Sequence, residues 1–309
     1  MYLNTHTCYS LRYGTIRPEE LLQTAKSKGF STLSLTDINS TTACIDFVRL
    51  AAKYKIRPVL GVDFRNGGQQ EFILLARNNQ GFKSINEYLS RFLHQKEFRI
   101  PSKPTDMAEV FVIYPFSKYD KEPLKNNEFL GVSPDDIPKL KFSRSEWPAD
   151  KLVMLQTVSF QHKKGFNTHR LLRAIDNNTL LSKLPPSEQG DEKDMMLTEE
   201  ELLRLYKDFP RIIDNTRRIM EQCSIAFEFD SGIPKNQKTY TNNEALDFRL
   251  MRKLAYQGLK YRYKKLGTRI FNRLEKELEI IRQKQFVSYF LINWKILKYA
   301  RSKNTCIRD

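Results

Sequence analysis

Over the first hundred residues, short apolar runs alternate with polar stretches in which hydrophobic side chains recur at helical spacing. Tyr2–Thr5, Ser31–Leu35, Arg57–Val62 and Phe72–Ala76 read as strands bounded by turn-forming or polar residues. Arg17-Pro18-Glu19-Glu20 opens a helix, with proline and acidic residues in its first turn, that runs to Lys28 and stops at Gly29. Thr41–Tyr54 and Gly81 to about Leu93 predict two further helices. This order of strand and helix predicts parallel strands with right-handed crossovers, an α/β layout or barrel.

The middle of the chain is less regular. Val110–Tyr114, Phe129–Val132 and Leu152–Val158 read as strands, and Leu171–Leu180 as a helix. Pro185–Asp194 is turn-rich, and Thr198 caps an acidic first turn, Glu199-Glu200-Glu201. Helices continue to about Ile225. Residues 226–243 form the candidate linker, polar from Ser231 to Asn243 with Gly232 and Pro234. From Glu244 the pattern is helical throughout. The reading is therefore a domain over 1–225, a linker over 226–243 and a helical segment over 244–309.

Charge changes the picture in the last part. The formal net charge is +16, and Met251–Asp309 holds 16 Lys and Arg against 4 Asp and Glu. A localised positive field suits a polyanion, because each phosphate neutralised releases a counterion. A solvated basic face, or a surface for an acidic partner, is the competing reading. No apolar run is long enough to span a bilayer, and the start MYLNTHTCYS has no signal-peptide pattern. Cys8, Cys44, Cys223 and Cys306 form no CxxC pair. These features predict a reducing, cytoplasmic setting without membrane, disulfide framework or thiolate zinc site.

In parallel α/β folds, functional groups collect at the carboxyl ends of strands. His6, Asp37 and Asp63 each follow a predicted strand, and their atoms are ligand types for zinc, manganese or iron. Three ligands are few, and Asp37 equally suits the N-cap of the next helix; both readings are open here. His94, His162 and His169 lack paired metal spacing and read as surface or core-edge residues. Glu275, Glu277 and Glu279 sit among Arg and Lys and read as sources of i, i+4 ion pairs.

Leu3-Asn4-Thr5-His6-Thr7-Cys8-Tyr9-Ser10-Leu11 with Gly14 resembles the opening of the polymerase-and-histidinol-phosphatase (PHP) domain, in the version that heads the replicative C-family polymerases of bacteria. Further blocks agree in order: Leu33-Ser34-Leu35-Thr36-Asp37, Ile56-Arg57-Pro58-Val59-Leu60-Gly61-Val62-Asp63, Leu74-Leu75-Ala76-Arg77-Asn78, and Thr168-His169-Arg170-Leu171-Leu172-Arg173. Phe286-Val287-Ser288-Tyr289-Phe290-Leu291-Ile292-Asn293-Trp294 is similar to the entry of that family's palm domain. The wording near the start looks most like the Bacteroidetes branch.

The resemblance implies a distorted PHP-type β/α barrel followed by helices leading into a polymerase palm, and template-directed DNA synthesis by the intact protein with magnesium. It also implies DNA, a proofreading exonuclease subunit and other holoenzyme subunits as partners. The family's metal cluster is depleted here. His6 and Asp37 are kept and Asp63 stands where glutamate is usual. Asn4, Ile38 and Glu71 replace histidines, and Gln156-Thr157-Val158-Ser159 replaces an Asn-Asp-x-His block. The resemblance thus implies a vestigial site at His6, Asp37 and Asp63, without zinc or manganese, and a barrel acting as scaffold and exonuclease dock. The family's Gly-Arg-Gly-Ser loop and Asp-x-Asp pair are expected beyond Asp309, so no catalytic residue is expected within this chain. Lys295, Lys298, Arg301 and Lys303 crowd the last helix and are the candidates for facing DNA or nucleotide. The rivals are a metal-dependent PHP phosphoesterase or 3′–5′ exonuclease, and an interaction module without nucleic-acid contact.

Overall fold

The computed structural model describes residues 1–309 apart from 96–98, 106, 143–146, 230–236 and 304–309. It divides into two compact units, Met1–Phe229 and Asp230–Asp309. Cys306 and the linker positions Ser231, Gly232 and Pro234 lie outside the described residues.

The first unit contains strands β1 (Asn4–Thr5), β2 (Thr32–Leu35), β3 (Arg57–Asn66), β4 (Gln69–Ala76), β5 (Val110–Pro115), β6 (Glu128–Val132), β7 (Leu152–Met154) and β8 (Thr157–Val158). Its helices are α1 (Pro18–Ser27), α2 (Cys44–Tyr54), α3 (Asn79–Leu93), α4 (Ile137–Phe142), α5 (Lys163–Asp176), α6 (Glu199–Leu205) and α7 (Pro210–Glu221). Strands β2 to β7 lie in chain order in one sheet, while β8 pairs with β1. Thr36 N–H donates to the Thr5 carbonyl at 3.0 Å and Thr5 N–H to Thr36 Oγ1 at 2.9 Å, which ties β1 to the end of β2. The sheet curls into a half-barrel, the mixed α/β form expected of a PHP-type fold.

Both faces of the sheet are buried, which explains why its strands read as unbroken apolar runs. On β4, Phe72, Leu74 and Ala76 join a core that includes Leu21, Leu22 and Phe47 of α1 and α2. Ile73 and Leu75, on the opposite face, join Ile219, Met220 and Cys223 at the end of α7. The period of two along the strand sorts side chains between these cores.

Several expectations need correction. The strands are not all parallel: β3–β4 and β4–β5 are antiparallel, while β2–β3, β5–β6, β6–β7 and β1–β8 are parallel. Only Gly67 and Gly68 separate β3 from β4, and a two-residue connection can join only antiparallel neighbours. Strand β3 also runs four residues past Val62, so Asp63 lies within a strand rather than after one. Finally, α5 covers Lys163–Asp176 instead of Leu171–Leu180. Its N-cap is His162, whose Nδ1 accepts from Gly165 N–H at 3.1 Å. That cap lies outside the Ser, Thr, Asp and Asn set that announces most helix starts. The predicted strand Leu152–Val158 is likewise divided, into β7 and β8.

The second unit contains α8 (Glu244–Arg262), α9 (Thr268–Gln283) and α10 (Val287–Ser302). They pack around Met251, Leu278 and Leu291, joined by Phe248, Leu254, Leu274 and Ile281. Asn243 caps α8 by accepting from Leu246 N–H at 3.0 Å. Buried Asp247 accepts from Tyr240 N–H at 2.6 Å, Thr241 N–H at 2.8 Å and the Thr241 hydroxyl at 2.6 Å. Among the described residues no helix is long and apolar enough to cross a membrane.

Candidate functional site

Strand β1 delivers His6 to the end of the curled sheet, where its ring is fully buried. His6 Nε2 lies 2.9 Å from Asp63 Oδ2, and Nδ1 lies 2.9 Å from the Ser159 hydroxyl just after β8. Burial drives the imidazole toward its neutral form, against the pull of Asp63. In that form Nε2 donates to the carboxylate and Nδ1 accepts from Ser159.

Asp63 is the electrostatic centre. Arg65, two residues on and therefore on the same side of β3, donates to Asp63 Oδ2 from Nε at 2.9 Å and Nη2 at 2.7 Å. Asn4 Nδ2 adds a longer contact to the same oxygen at 3.2 Å and another to Thr157 Oγ1 at 3.1 Å. Asp63 Oδ1 is buried with no hydrogen-bond partner. Burial alone would raise this carboxyl, but Arg65 and then His6 outweigh it and hold the group well below the usual carboxylate range. Arg65 itself is only 6% exposed, and the Asp63 charge overcomes its burial to keep it protonated.

Tyr13 closes this cluster. Its hydroxyl accepts from Arg65 Nη1 at 2.9 Å, and the guanidinium carbons of Arg65 and Arg173 lie 4.9 and 5.6 Å from its ring. The loop carrying Tyr13 is tight: a Cβ at Gly14 would stand 1.9 Å from the Thr7 carbonyl oxygen, so only glycine fits there. Buried His169 donates from Nδ1 to the Tyr13 carbonyl at 2.8 Å and accepts at Nε2 from Gly190 N–H at 2.8 Å. Burial, countered in part by the Tyr13 carbonyl, brings its imidazole down to about 4. Asp194, beside this loop, is pushed up to about 7 by burial, with Arg65 opposing.

The three sequence-predicted site residues do not share one cluster. His6 and Asp63 are in contact, whereas Asp37 serves the loop after β1. Its carboxylate accepts from Thr7 N–H at 2.6 Å, the Thr7 hydroxyl at 2.7 Å and the Ser10 hydroxyl at 2.7 Å. Asp37 is not the N-cap of the next helix, since α2 begins at Cys44 behind Ala43. His169 is no core-edge residue but a fully buried one that joins Tyr13 to Gly190. Glu71 is drawn to Lys118 and to Asn66 Nδ2, the latter at 2.9 Å. Tyr13, Arg65, His169 and Asp194 carry no motif that marks them as site residues in the sequence; for Arg65 the signal present is its i+2 spacing from Asp63 on a strand.

In the second unit, Lys295, Lys298, Arg301 and Lys303 are exposed on α10 or at its C-cap. Lys295 lies over the Tyr240 ring, Lys298 over Trp294 and Lys303 over Tyr299, at 5.7, 5.2 and 5.8 Å. Of the acidic trio, Glu277 pairs with Arg273 at i, i+4, whereas Glu275 reaches across to Arg252 and the Tyr256 hydroxyl of α8.

Comparison with known proteins places these features. Residues 3–127 match the PHP domain, and residues 249–308 match the bacterial DNA polymerase III alpha NTPase domain. The chain is 24% identical to the DNA polymerase III subunit alpha of Halalkalibacterium halodurans over 97% of its own length, and 24% identical to that of Bacillus subtilis over 98%. It is 22% identical to an error-prone DNA polymerase of Symbiobacterium thermophilum over 98%. The chain spans 30%, 30% and 32% of these three relatives, respectively.

Proposed function

We propose, for a chain that carries a PHP domain and matches the N-terminal region of bacterial DNA polymerase III alpha, that it is the framework segment of a replicative DNA polymerase working in the cytoplasm. The intact protein would join deoxynucleotides to a primer 3′ end on a template, with magnesium supplied to carboxylates outside this chain. The barrel would support the palm and offer a docking face to a proofreading exonuclease and other holoenzyme subunits. Lys295, Lys298, Arg301 and Lys303 would face DNA or nucleotide. The observation that carries this reading is the pair of matches, PHP first and polymerase second, within one chain.

Anisotropy of labelled primed DNA against the chain tests the nucleic-acid part. Four phosphate contacts predict a loss of affinity of roughly a hundredfold between about 50 and 200 mM salt. Affinity indifferent to salt would sink it in favour of a protein-interaction module. A second assay addresses the phosphoesterase and exonuclease alternatives. Manganese- or zinc-dependent cleavage of a phosphomonoester or a DNA 3′ end that disappears in Asp63→Asn would replace the scaffold reading.

A further inference from the structure

The residues at the barrel mouth do not fit a bound metal. Neutral His6 has one donor and one acceptor nitrogen, and Asp63 and Ser159 already take both. His169 is committed in the same way to Tyr13 and Gly190. Asn4 turns an N–H, not a lone pair, toward Asp63. Of these four side chains that leaves Asp63 Oδ1, and one oxygen is not a coordination shell. Among the described residues no three His, Cys, Asp or Glu side chains are placed to hold an ion, whereas protein metal sites commonly draw on three or four.

The site nevertheless contains a fixed positive charge. We infer that Arg65 is its resident cation, a guanidinium that gathers Asp63 and, through it, His6 and Asn4 into the arrangement a metal would otherwise impose. A guanidinium suits this task because its N–H groups are rigidly spaced and it is more weakly hydrated than an ammonium. Two of its donors meet Asp63 and a third meets Tyr13, whose ring also lies beside the charged plane. It is delivered by the same strand as its carboxylate, so the mouth sets on folding with no loading step. This inference rests on the scaffold reading and adds what holds the scaffold closed.

The test is a set of melting curves on the whole chain. Wild type should melt within about 1 °C of the same temperature in chelator and in millimolar manganese, whereas an ion at a hundredfold its Kd would raise the midpoint by about 5 °C or more. Arg65→Met should lower the midpoint by about 5–10 °C, and Arg65→Lys by less than half as much. The double variant Asp63→Asn, Arg65→Met should recover most of the loss, because neither charge is then stranded. If Arg65→Met does not fold, a folded double variant supports the inference and an unfolded one overturns it. Additive losses, or equal losses for Lys and Met, would make Arg65 a space-filler and leave the scaffold reading standing. A manganese shift of several degrees in wild type that vanishes in Asp63→Asn would overturn both.

Discussion

Replacing Asp194 with asparagine should make the barrel more stable, by a margin that grows as pH rises from about 4 to about 7. The side chain stays nearly isosteric, and its oxygen can still accept from Asp191 N–H, now at 3.1 Å. What disappears is a carboxyl that burial pushes from 3.8 up to about 7. A raised acid binds its proton more tightly folded than unfolded. Its contribution is fully present below the unfolded value and is lost as pH climbs through the folded one. A shift of about three units caps the penalty of ionising in place at roughly 4 kcal/mol, and relaxation of the loop brings the expected gain to about 2 kcal/mol. Urea unfolding at about pH 3.5 should therefore find wild type and Asp194→Asn within about 0.5 kcal/mol, and at about pH 8.5 the variant ahead. Tryptophan fluorescence in a Trp294→Phe background reads the first unit alone, because Trp147 packs there on Phe116 at 4.5 Å. His169, low at about 4, loses its contribution as pH falls from its unfolded value toward 4, equally in both proteins, so it cancels from the difference. A variant less stable than wild type at high pH would refute the reasoning. It would mean that attraction to Arg65 exceeds the burial penalty and that Asp194 belongs to the charge cluster.

Other outcomes follow from single groups. His169→Leu strands the Tyr13 carbonyl and Gly190 N–H, and should cost about 2–4 kcal/mol in urea unfolding while flattening the decline of stability below about pH 6.5. Asn215→Ala leaves the Ala149 and Leu152 carbonyls without their shared donor and should cost about 2–3 kcal/mol by the same assay. In the second unit, Asp247→Ala frees three donors at the start of α8, and far-UV circular dichroism should show that unit melting earlier, with a loss of about 2–3 kcal/mol. Changing Lys295, Lys298 and Lys303 together to alanine should reduce the slope of log affinity for primed DNA against log salt by about 3.

How far the sequence could be read follows from where charge is buried. Apolar runs such as Phe72–Ala76 announce strands because each residue meets a core on one face or the other, and the helices at Glu19 and Thr198 announce themselves through their first turns. Strand β3 reads short in the sequence because Asp63 and Arg65 are charged, and charge within a chain segment reads as surface. Here each neutralises the other out of water, which local pattern cannot reveal. The start of helix α5 is hidden for a related reason: Lys163 to His169 is mostly polar, and its cap is an imidazole. Asp37 follows a strand and so suits either a ligand or a helix cap by position, but its carboxylate is spent on Thr7 and Ser10, in a loop whose path depends on Gly14.

Buried and exposed charge are distributed differently in the two units. In the first unit Arg65 and Asp63 are both buried and neutralise each other, while buried Arg173 meets the part-exposed carboxylates of Asp176 and Glu188. Matched interior charge stabilises a shape and leaves little field outside to attract a ligand. On α10 the cations are exposed, and three of them lie over aromatic rings rather than beside carboxylates. Such a surface keeps its positive field and can exchange condensed counterions for phosphate. Removing either Asp63 or Arg65 alone strands a buried charge, so the pair is replaced at low cost only when both members change together.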